Sequence, residues 1–244
     1  MRVVVTGASR GIGLAACKKF LQQGHEVFGL DVNAASISQK GYKHFICDIS
    51  KPETLPEISD VEILVCNAGI QTENKLVTPK SEKAANSNEA GSSSFLPDDI
   101  NVNLLGSIYT TEKYAFQKSI KAVLFNASVS ALNGNEFPAY VASKAGVVGY
   151  MKHTAIRLAN EYHATCNALC FGGVETELNK SVMEDKGLWN QIMEVTPLKR
   201  WATAEQAAEW IYFLTAVNSS CTGQAIEVSG GERNCADLFV WPDK

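Results

Sequence analysis

Apolar residues fall along this chain in two alternating textures. Short, nearly unbroken runs rich in β-branched residues occur at Val3 to Val5, Val27 to Leu30, Phe45 to Cys47, Ile63 to Cys66, Val123 to Phe125 and Ala225 to Val228, with a weaker one at Asn167 to Leu169. Between them lie longer stretches with helical periodicity: Ile12 to Gln23, about Asp99 to Phe116, about Ala139 to Glu161, and Glu205 to Ala216. A strand buried on both faces reads as a continuous apolar run, and parallel strands need long crossovers between them. The pattern therefore predicts an α/β fold, a doubly wound parallel sheet with helices on both faces. Gly24 is placed to stop the first helix, and Pro97 with Asp98 to open the second.

Two crossovers, Asp31 to Phe45 and Asp48 to Ile63, leave room for only a short helix or turn. The stretch 79–94, PKSEKAANSNEAGSSS, is polar, small and low in complexity, and reads as a surface insertion rather than a lid. No repeat or linker divides the rest, so residues 1–244 are expected to form one domain.

Composition narrows the function. The net charge is −4 and the sequence pI about 5.6, without the clustered Lys and Arg that grip a phosphate backbone, so nucleic acid is not expected as a partner. The seven cysteines are scattered through apolar runs with no CxxC pair, and read as small core residues in a reducing compartment. The four histidines show no HExxH spacing, so no metal site is expected. The opening MRVVVTG carries no leader pattern and no apolar run approaches 18 residues; a cytoplasmic protein without membrane contact is the expectation.

Candidate chemistry begins where the first run meets Thr6-Gly7-Ala8-Ser9-Arg10-Gly11-Ile12-Gly13. Glycines let backbone approach a pyrophosphate, and the helix that follows offers free N–H groups and a positive dipole end. The next run ends at Asp31, 18 residues past Gly13, where a carboxylate accepts hydrogen bonds from a ribose diol and repels a 2′-phosphate. NAD is therefore preferred to NADP, with Arg10 as the dissenting residue. Asp48, in Cys47-Asp48-Ile49, either reaches an adenine amino group or caps a helix. Asn67-Ala68-Gly69 ends the fourth run and leaves space along the carboxyl edge of the sheet, where ligands of such folds bind.

Tyr140 and Lys144 stand four apart on a predicted helix and so share a face. A free phenol titrates near 10; an ammonium about 4 Å away lowers that by roughly 3 units at an effective dielectric near 20. Such a tyrosine is a usable acid and base. Alone, a pair at this spacing is more often a surface pair.

Taken in order, TGASRGIG, Asp31, NAG at 67–69, Asn103 in NVNLLG, Ser128 in NASVSA, YVASK at 140–144, GGVET at 172–176 and TGQAIEVSGG at 222–231 resemble the short-chain dehydrogenase/reductase family over nearly the whole chain. The resemblance implies a Rossmann-like sheet of seven strands carrying a Ser, Tyr, Lys and Asn tetrad. Tyr140 would exchange the proton with the substrate oxygen, Lys144 would lower its pKa and hold the nicotinamide ribose, and Ser128 would orient the same oxygen, with Ser130 as its rival. Asn103 would anchor a water linking Lys144 to solvent, or else satisfy backbone groups at a helix kink, and Val174 with Thr176 would fix the carboxamide, with a helix cap as the alternative for Thr176. The cofactor supplies the hydride. The family also implies a homodimer or homotetramer.

Three departures from the family pattern stand out: Phe171 in place of a proline, a Ser128 to Tyr140 interval one residue short, and the compact early crossovers. The segment 177–200 is expected to cover the substrate, with Leu178, Met183, Leu188, Trp189, Ile192 and Met193 mostly packing into the core. The main expectation is an NAD(H)-dependent oxidoreductase for a neutral, moderately apolar secondary alcohol or ketone. An NADPH-dependent carbonyl or 3-oxoacyl reductase is the alternative, and a catalytically silent NAD-sensing or scaffold protein the second. The tail 235–244 is apolar enough to seek a neighbouring surface.

Overall fold

The computed structural model describes residues 1–72, 98–135 and 137–232. The insertion at 79–94, Pro97 and the apolar tail lie outside the described residues.

The first run forms β1 (Arg2–Thr6), whose glycine turn leads into helix α1 (Gly11–Gln22) and on to β2 (Glu26–Asp31) and β3 (Tyr42–Ile46). Gly24 takes a positive φ of 77° and closes α1 as its position predicts. The third strand starts three residues before Phe45 and ends at Ile46, so Cys47 is already past it. Tyr42 is drawn into the ladder because it pairs with Val27. Both early crossovers are compact, as expected: no helix separates β2 from β3, and only the short turn Pro52–Thr54 precedes β4 (Ile63–Cys66).

A helix from Asp98 opens with wide π turns over Ile100–Leu105 and regularises as α2 (Gly106–Tyr114), two residues short of the predicted end. Then come β5 (Ala122–Asn126), the short α3 (Ser130–Asn133), the long α4 (Pro138–Tyr162), β6 (Thr165–Phe171) and β7 (Val174–Glu175). The weakly marked run at Asn167 is thus part of a seven-residue strand. Helices α5 (Lys180–Glu184) and α6 (Lys186–Val195) carry the chain to β8 (Ala202–Thr203). Helix α7 (Ala204–Tyr212) relaxes into π turns over Phe213–Val217 before β9 (Ala225–Val228).

Seven strands make one parallel sheet in the order β3-β2-β1-β4-β5-β6-β9, and β7 pairs with β8 in a second, two-stranded one. Side chains alternate across the sheet. Val3 and Val5 pack with Phe20, Ala207 and Ile211 on the α1/α7 side, while Val4, Leu64 and Phe125 pack with Tyr114, Met151 and Leu158 on the α2/α4 side. Each fully buried side chain of this size contributes about 1.5–3 kcal/mol. Burial pushes the thiols of Cys47 and Cys66 up to about 11 and that of Cys17 up to about 12, which keeps them protonated. No helix among the described residues is long and apolar enough to cross a membrane, and no cluster of His, Cys, Asp and Glu among them is arranged to hold a metal ion.

The chain runs outward from β1 to β2 and β3, then returns past β1 to β4 and continues the other way. This reversal opens a crevice beyond the carboxyl ends of β1 and β4, where the side chains discussed next converge.

Candidate active site

A cleft of about 930 Å³ runs along that edge. Among the sequence-predicted residues it is lined by Gly7, Arg10, Gly11, Ile12, Asp31, Asp48, Ile49, Asn67, Ala68, Gly69, Ser128, Tyr140, Lys144, Val174 and Thr176. Ser9, Gly13 and Asn103 lie behind its wall.

The floor is set by close packing. A methyl group on Gly13 would lie 2.0 Å from the Gly7 carbonyl oxygen and 2.5 Å from Asn67 Nδ2, so α1 presses on the turn as only glycine allows. Gly7 has φ 68° and Gly11 φ 52°. Asn67 Nδ2 donates to the carbonyls of Thr6 (2.9 Å) and Gly7 (3.3 Å), and Asn67 Oδ1 accepts from Asn126 Nδ2 (2.8 Å). Thr6 Oγ1 accepts from the backbone N–H groups of Asn67 and Ala68. The ends of β1, β4 and β5 are thereby lashed together. No side chain caps the first turn of α1, so its N–H groups face the cleft as an anion cradle, and the donor set fits a dinucleotide pyrophosphate.

Asp31, buried at 8% exposure, accepts from Ser9 N (3.0 Å), Asn33 N (2.9 Å) and Asn33 Nδ2 (3.0 Å). A carboxylate has about four lone-pair sites, so one remains for a ribose hydroxyl. Ser9 also donates through its hydroxyl to the Ala34 carbonyl (2.9 Å), and so braces the crossover that stands in for a helix. Asp48 Oδ1 accepts from the backbone N–H and hydroxyl of Ser50, and its other oxygen lies 3.2 Å from Lys51 Nζ. These bonds, the Ser50 hydroxyl above all, hold its pKa below the ordinary carboxylate value. The turn-capping alternative for Asp48 is realised locally, while the residue still lines the cleft. Ile49 is buried against Gly106.

At the other end, α4 opens with Pro138 at its first position, which needs no N–H there, and so carries Tyr140 and Lys144 on its first turns. Lys144 Nζ lies 5.7 Å from the centroid of the Tyr140 ring and donates to the Asn126 carbonyl at 2.8 Å. Burial pulls the Lys144 pKa down from 10.5 to about 8, opposed by the Cys170 thiol and the Asp99 carboxylate. That value still lies above pH 7, on the side of the ammonium form. Ser128 lines the cleft, while Ser130 is 1% exposed behind it, its hydroxyl 2.9 Å from that of Ser128. Asn103 sits in the π turns and grips one residue twice: Oδ1 accepts from Ile70 N (2.8 Å) and Nδ2 donates to Ile70 O (2.9 Å). One turn earlier the fully buried Asp99 accepts from the backbone and hydroxyl of Thr72. The 70–72 wall is held by these two rungs.

The covering segment departs from expectation. None of Leu178, Met183, Leu188, Trp189, Ile192 or Met193 is buried; Leu178 and Ile192 line the cleft. Helices α5 and α6 lie over the cleft mouth, beyond the core that sandwiches the sheet. Trp201 is buried there, edge-on to Trp189 at 4.9 Å, with its indole over the bare backbone of Gly173. Trp201, Asn133, Asn135, Gln71 and Glu232 line the cleft without having been marked by any motif; they reach it only through the folding of distant segments. Asn126, at the carboxyl end of a strand, was legible from the rule that ligands bind along that edge.

Known proteins share this fold. Residues 7–232 match the family model described as enoyl-(acyl carrier protein) reductase. The 3-oxoacyl-[acyl-carrier-protein] reductase FabG of Staphylococcus epidermidis is 30% identical, over 93% of this chain and 97% of its own. Among solved structures, a 4-hydroxyisoleucine dehydrogenase complexed with NADH superposes with a TM-score of 0.79 at 25% identity, covering 95% of this chain and 98% of that one. An Agrobacterium tumefaciens protein with bound NADP gives 0.79 at 25%, covering 95% of each. The chain belongs to the short-chain dehydrogenase/reductase family and is an NAD(P)-dependent oxidoreductase.

Proposed function

We propose that this protein interconverts a secondary alcohol and a ketone, with Tyr140 as the general acid and base. The observation that supports this reading most is the presence of Tyr140, Lys144 and Ser128 together in the lining of the cleft, with the buried Lys144 Nζ 5.7 Å from the centroid of the Tyr140 ring. In reduction the Tyr140 hydroxyl gives its proton to the carbonyl oxygen, and in oxidation the phenolate takes it back. Lys144 favours the phenolate and is oriented by the Asn126 carbonyl. The Ser128 hydroxyl donates to the substrate oxygen as charge develops there. Asn103 keeps the Ile70 wall in place, and a water on it would link Lys144 to solvent. The nicotinamide supplies hydride when bound; Gly7, Ser9, Gly11 and Gly13 with the α1 terminus would hold its pyrophosphate, and Val174 with Thr176 its carboxamide.

The relatives weigh toward one version of this reading, reduction of a 3-oxoacyl thioester. On the cofactor, Asp31 supports NAD(H), and exposed Arg10, which also lines the cleft, supports NADP(H). The two solved neighbours divide the same way. The test is turnover of a ketone and 3-oxoacyl thioester panel with NADH and with NADPH, for the wild type and Tyr140→Phe. Loss of turnover by about 10²–10⁴ in the variant, with cofactor affinity kept, supports the mechanism. Full activity in Tyr140→Phe overturns it, and a wild type that binds cofactor and turns over nothing favours the silent alternative. The homodimer or homotetramer that the family implies is read by sedimentation.

A further inference from the structure

We propose that Tyr42 and His44, on the edge strand β3, are positioning residues for the cofactor: they hold the crossover that follows β2 so that Asp31 keeps a lone pair set for the adenosine ribose, and they thereby strengthen the preference for NAD(H). This rests on the reading of Asp31 as the ribose acceptor.

The crossover needs such a hold. Residues 32–41 join β2 to β3 without a helix, and Val32, Asn33 and Ala34 are exposed. Yet Asn33 supplies two of the three bonds that Asp31 accepts, both to Oδ1, while Ser9 N supplies the third, to Oδ2. The lone pair left open is therefore on Oδ2, and the plane of the carboxylate turns with Asn33.

Asn33 is held from two sides. From the glycine turn, Ser9 Oγ donates to the carbonyls of Asn33 (3.3 Å) and Ala34 (2.9 Å), and Ser36 Oγ donates back to the Ser9 carbonyl. From β3, His44 Nε2 lies 2.9 Å from the Asn33 carbonyl. A carbonyl only accepts, so Nε2 carries the ring proton, and in the neutral ring Nδ1 is left as an acceptor. It lies 2.8 Å from the Tyr42 hydroxyl. Burial above all, then the Cys17 thiol and the Asp31 carboxylate, push the Tyr42 phenol up, so its hydroxyl keeps the proton it donates. Tyr42 thus fixes which nitrogen of His44 faces Asn33.

Strand β2 is shaped to admit this arrangement. Gly29 pairs with His44 and Val27 with Tyr42, and alternation puts Gly29, Asp31, Tyr42 and His44 on the α1 face of the sheet. A methyl group on Gly29 would lie 2.1 Å from the Tyr42 hydroxyl oxygen and 2.8 Å from Ala8 Cβ. The phenol therefore occupies the space over the bare backbone of β2, beside the glycine turn, where any side chain at position 29 would block it.

The experiment titrates the full chain with NADH and with NADPH, following nicotinamide fluorescence, with a thermal melt of each variant. His44→Phe removes the bond to Asn33 and is expected to weaken NADH about tenfold, the worth of one well-placed hydrogen bond. NADPH should change less than threefold, because a 2′-phosphate gains nothing from an aligned carboxylate. His44→Gln, whose amide nitrogen can still donate to the Asn33 carbonyl, should stay within about threefold of the wild type for NADH. Tyr42→Phe keeps the ring over Gly29 and removes only the hydroxyl; NADH should weaken about threefold and NADPH hold. Adding His44→Phe to Asp31→Ala should cost nothing further. Equal weakening of both cofactors in His44→Phe, unchanged NADH affinity, or a full additional loss in the Asp31→Ala background overturns the proposal. If His44→Phe does not fold, an unchanged ratio of the two affinities in Tyr42→Phe overturns it. The underlying reading fails separately: Asp31→Ala would then bind NADH as the wild type does, whereas failure of the positioning role alone leaves Asp31→Ala weak and the β3 variants silent.

Discussion

Lys144 carries a conflict between folding and chemistry. Its proton is held less tightly in the folded protein, with a pKa of about 8, than in the unfolded chain near 10.5. Between those values the unfolded chain binds more protons, so stability rises with pH, by on the order of 3 kcal/mol across the window. The buried ammonium therefore destabilises the fold at neutral pH. Lys144→Met is expected to raise the melting temperature of the cofactor-free protein at pH 7, even after about 1 kcal/mol is lost with the bond to the Asn126 carbonyl. The gain should disappear near pH 10, where the wild type is also neutral at this position; scanning calorimetry at the two pH values reads it. Turnover in the same variant should collapse. For the wild type, activity should fall above about pH 8 as the ammonium is lost.

At the level of elements, the tightest fit is between α1 and the turn before it. Gly13→Ala places a methyl 2.0 Å from a carbonyl oxygen that cannot swing away, so the helix must lift from β1. A loss of about 1–3 kcal/mol in urea unfolding is expected, together with the loss of cofactor affinity. Asn67→Ala should cost a similar amount while leaving the glycine turn sterically free, because three side-chain bonds, to the carbonyls of Thr6 and Gly7 and from Asn126 Nδ2, are lost with it. These elements were also the most legible in the sequence. Most of the sheet's strands announced themselves because a sheet covered on both faces demands unbroken apolar runs, and Tyr140, Lys144 and the glycine turn because their chemistry depends on local spacing. The start of β3 was hidden, since a sheet edge tolerates the polar Lys43 and His44. The π turns around Asn103 left no mark in a periodicity argument. The cover segment misled for a related reason: its apolar face is real, but it faces the cleft mouth and solvent rather than the core. Asp99, Trp201 and Glu232 had no local signature, because Thr72, Gly173 and Gly172, against which they lie, are 27 or more residues away in sequence.

On the scale of the whole molecule, one cleft joins both halves of the sheet, so filling it should stabilise the entire fold. Cofactor at about one hundred times its Kd adds about 2.7 kcal/mol, which for a chain of this size raises Tm by roughly 5–10 °C. Comparing the midpoints with NADH and with NADPH ranks the two cofactors without any substrate, and a larger rise with NADPH would overturn the part assigned to Asp31. The edge-on pair Trp189 and Trp201 gives the same event an optical signature. One indole lines the cleft and the other rides on the helix above it. Light absorbed by these rings would pass to a reduced nicotinamide bound beside them, so that their ultraviolet emission dims as the dihydropyridine glows. The protein carries in its own covering segment a dye for following cofactor binding and helix movement, with no label added.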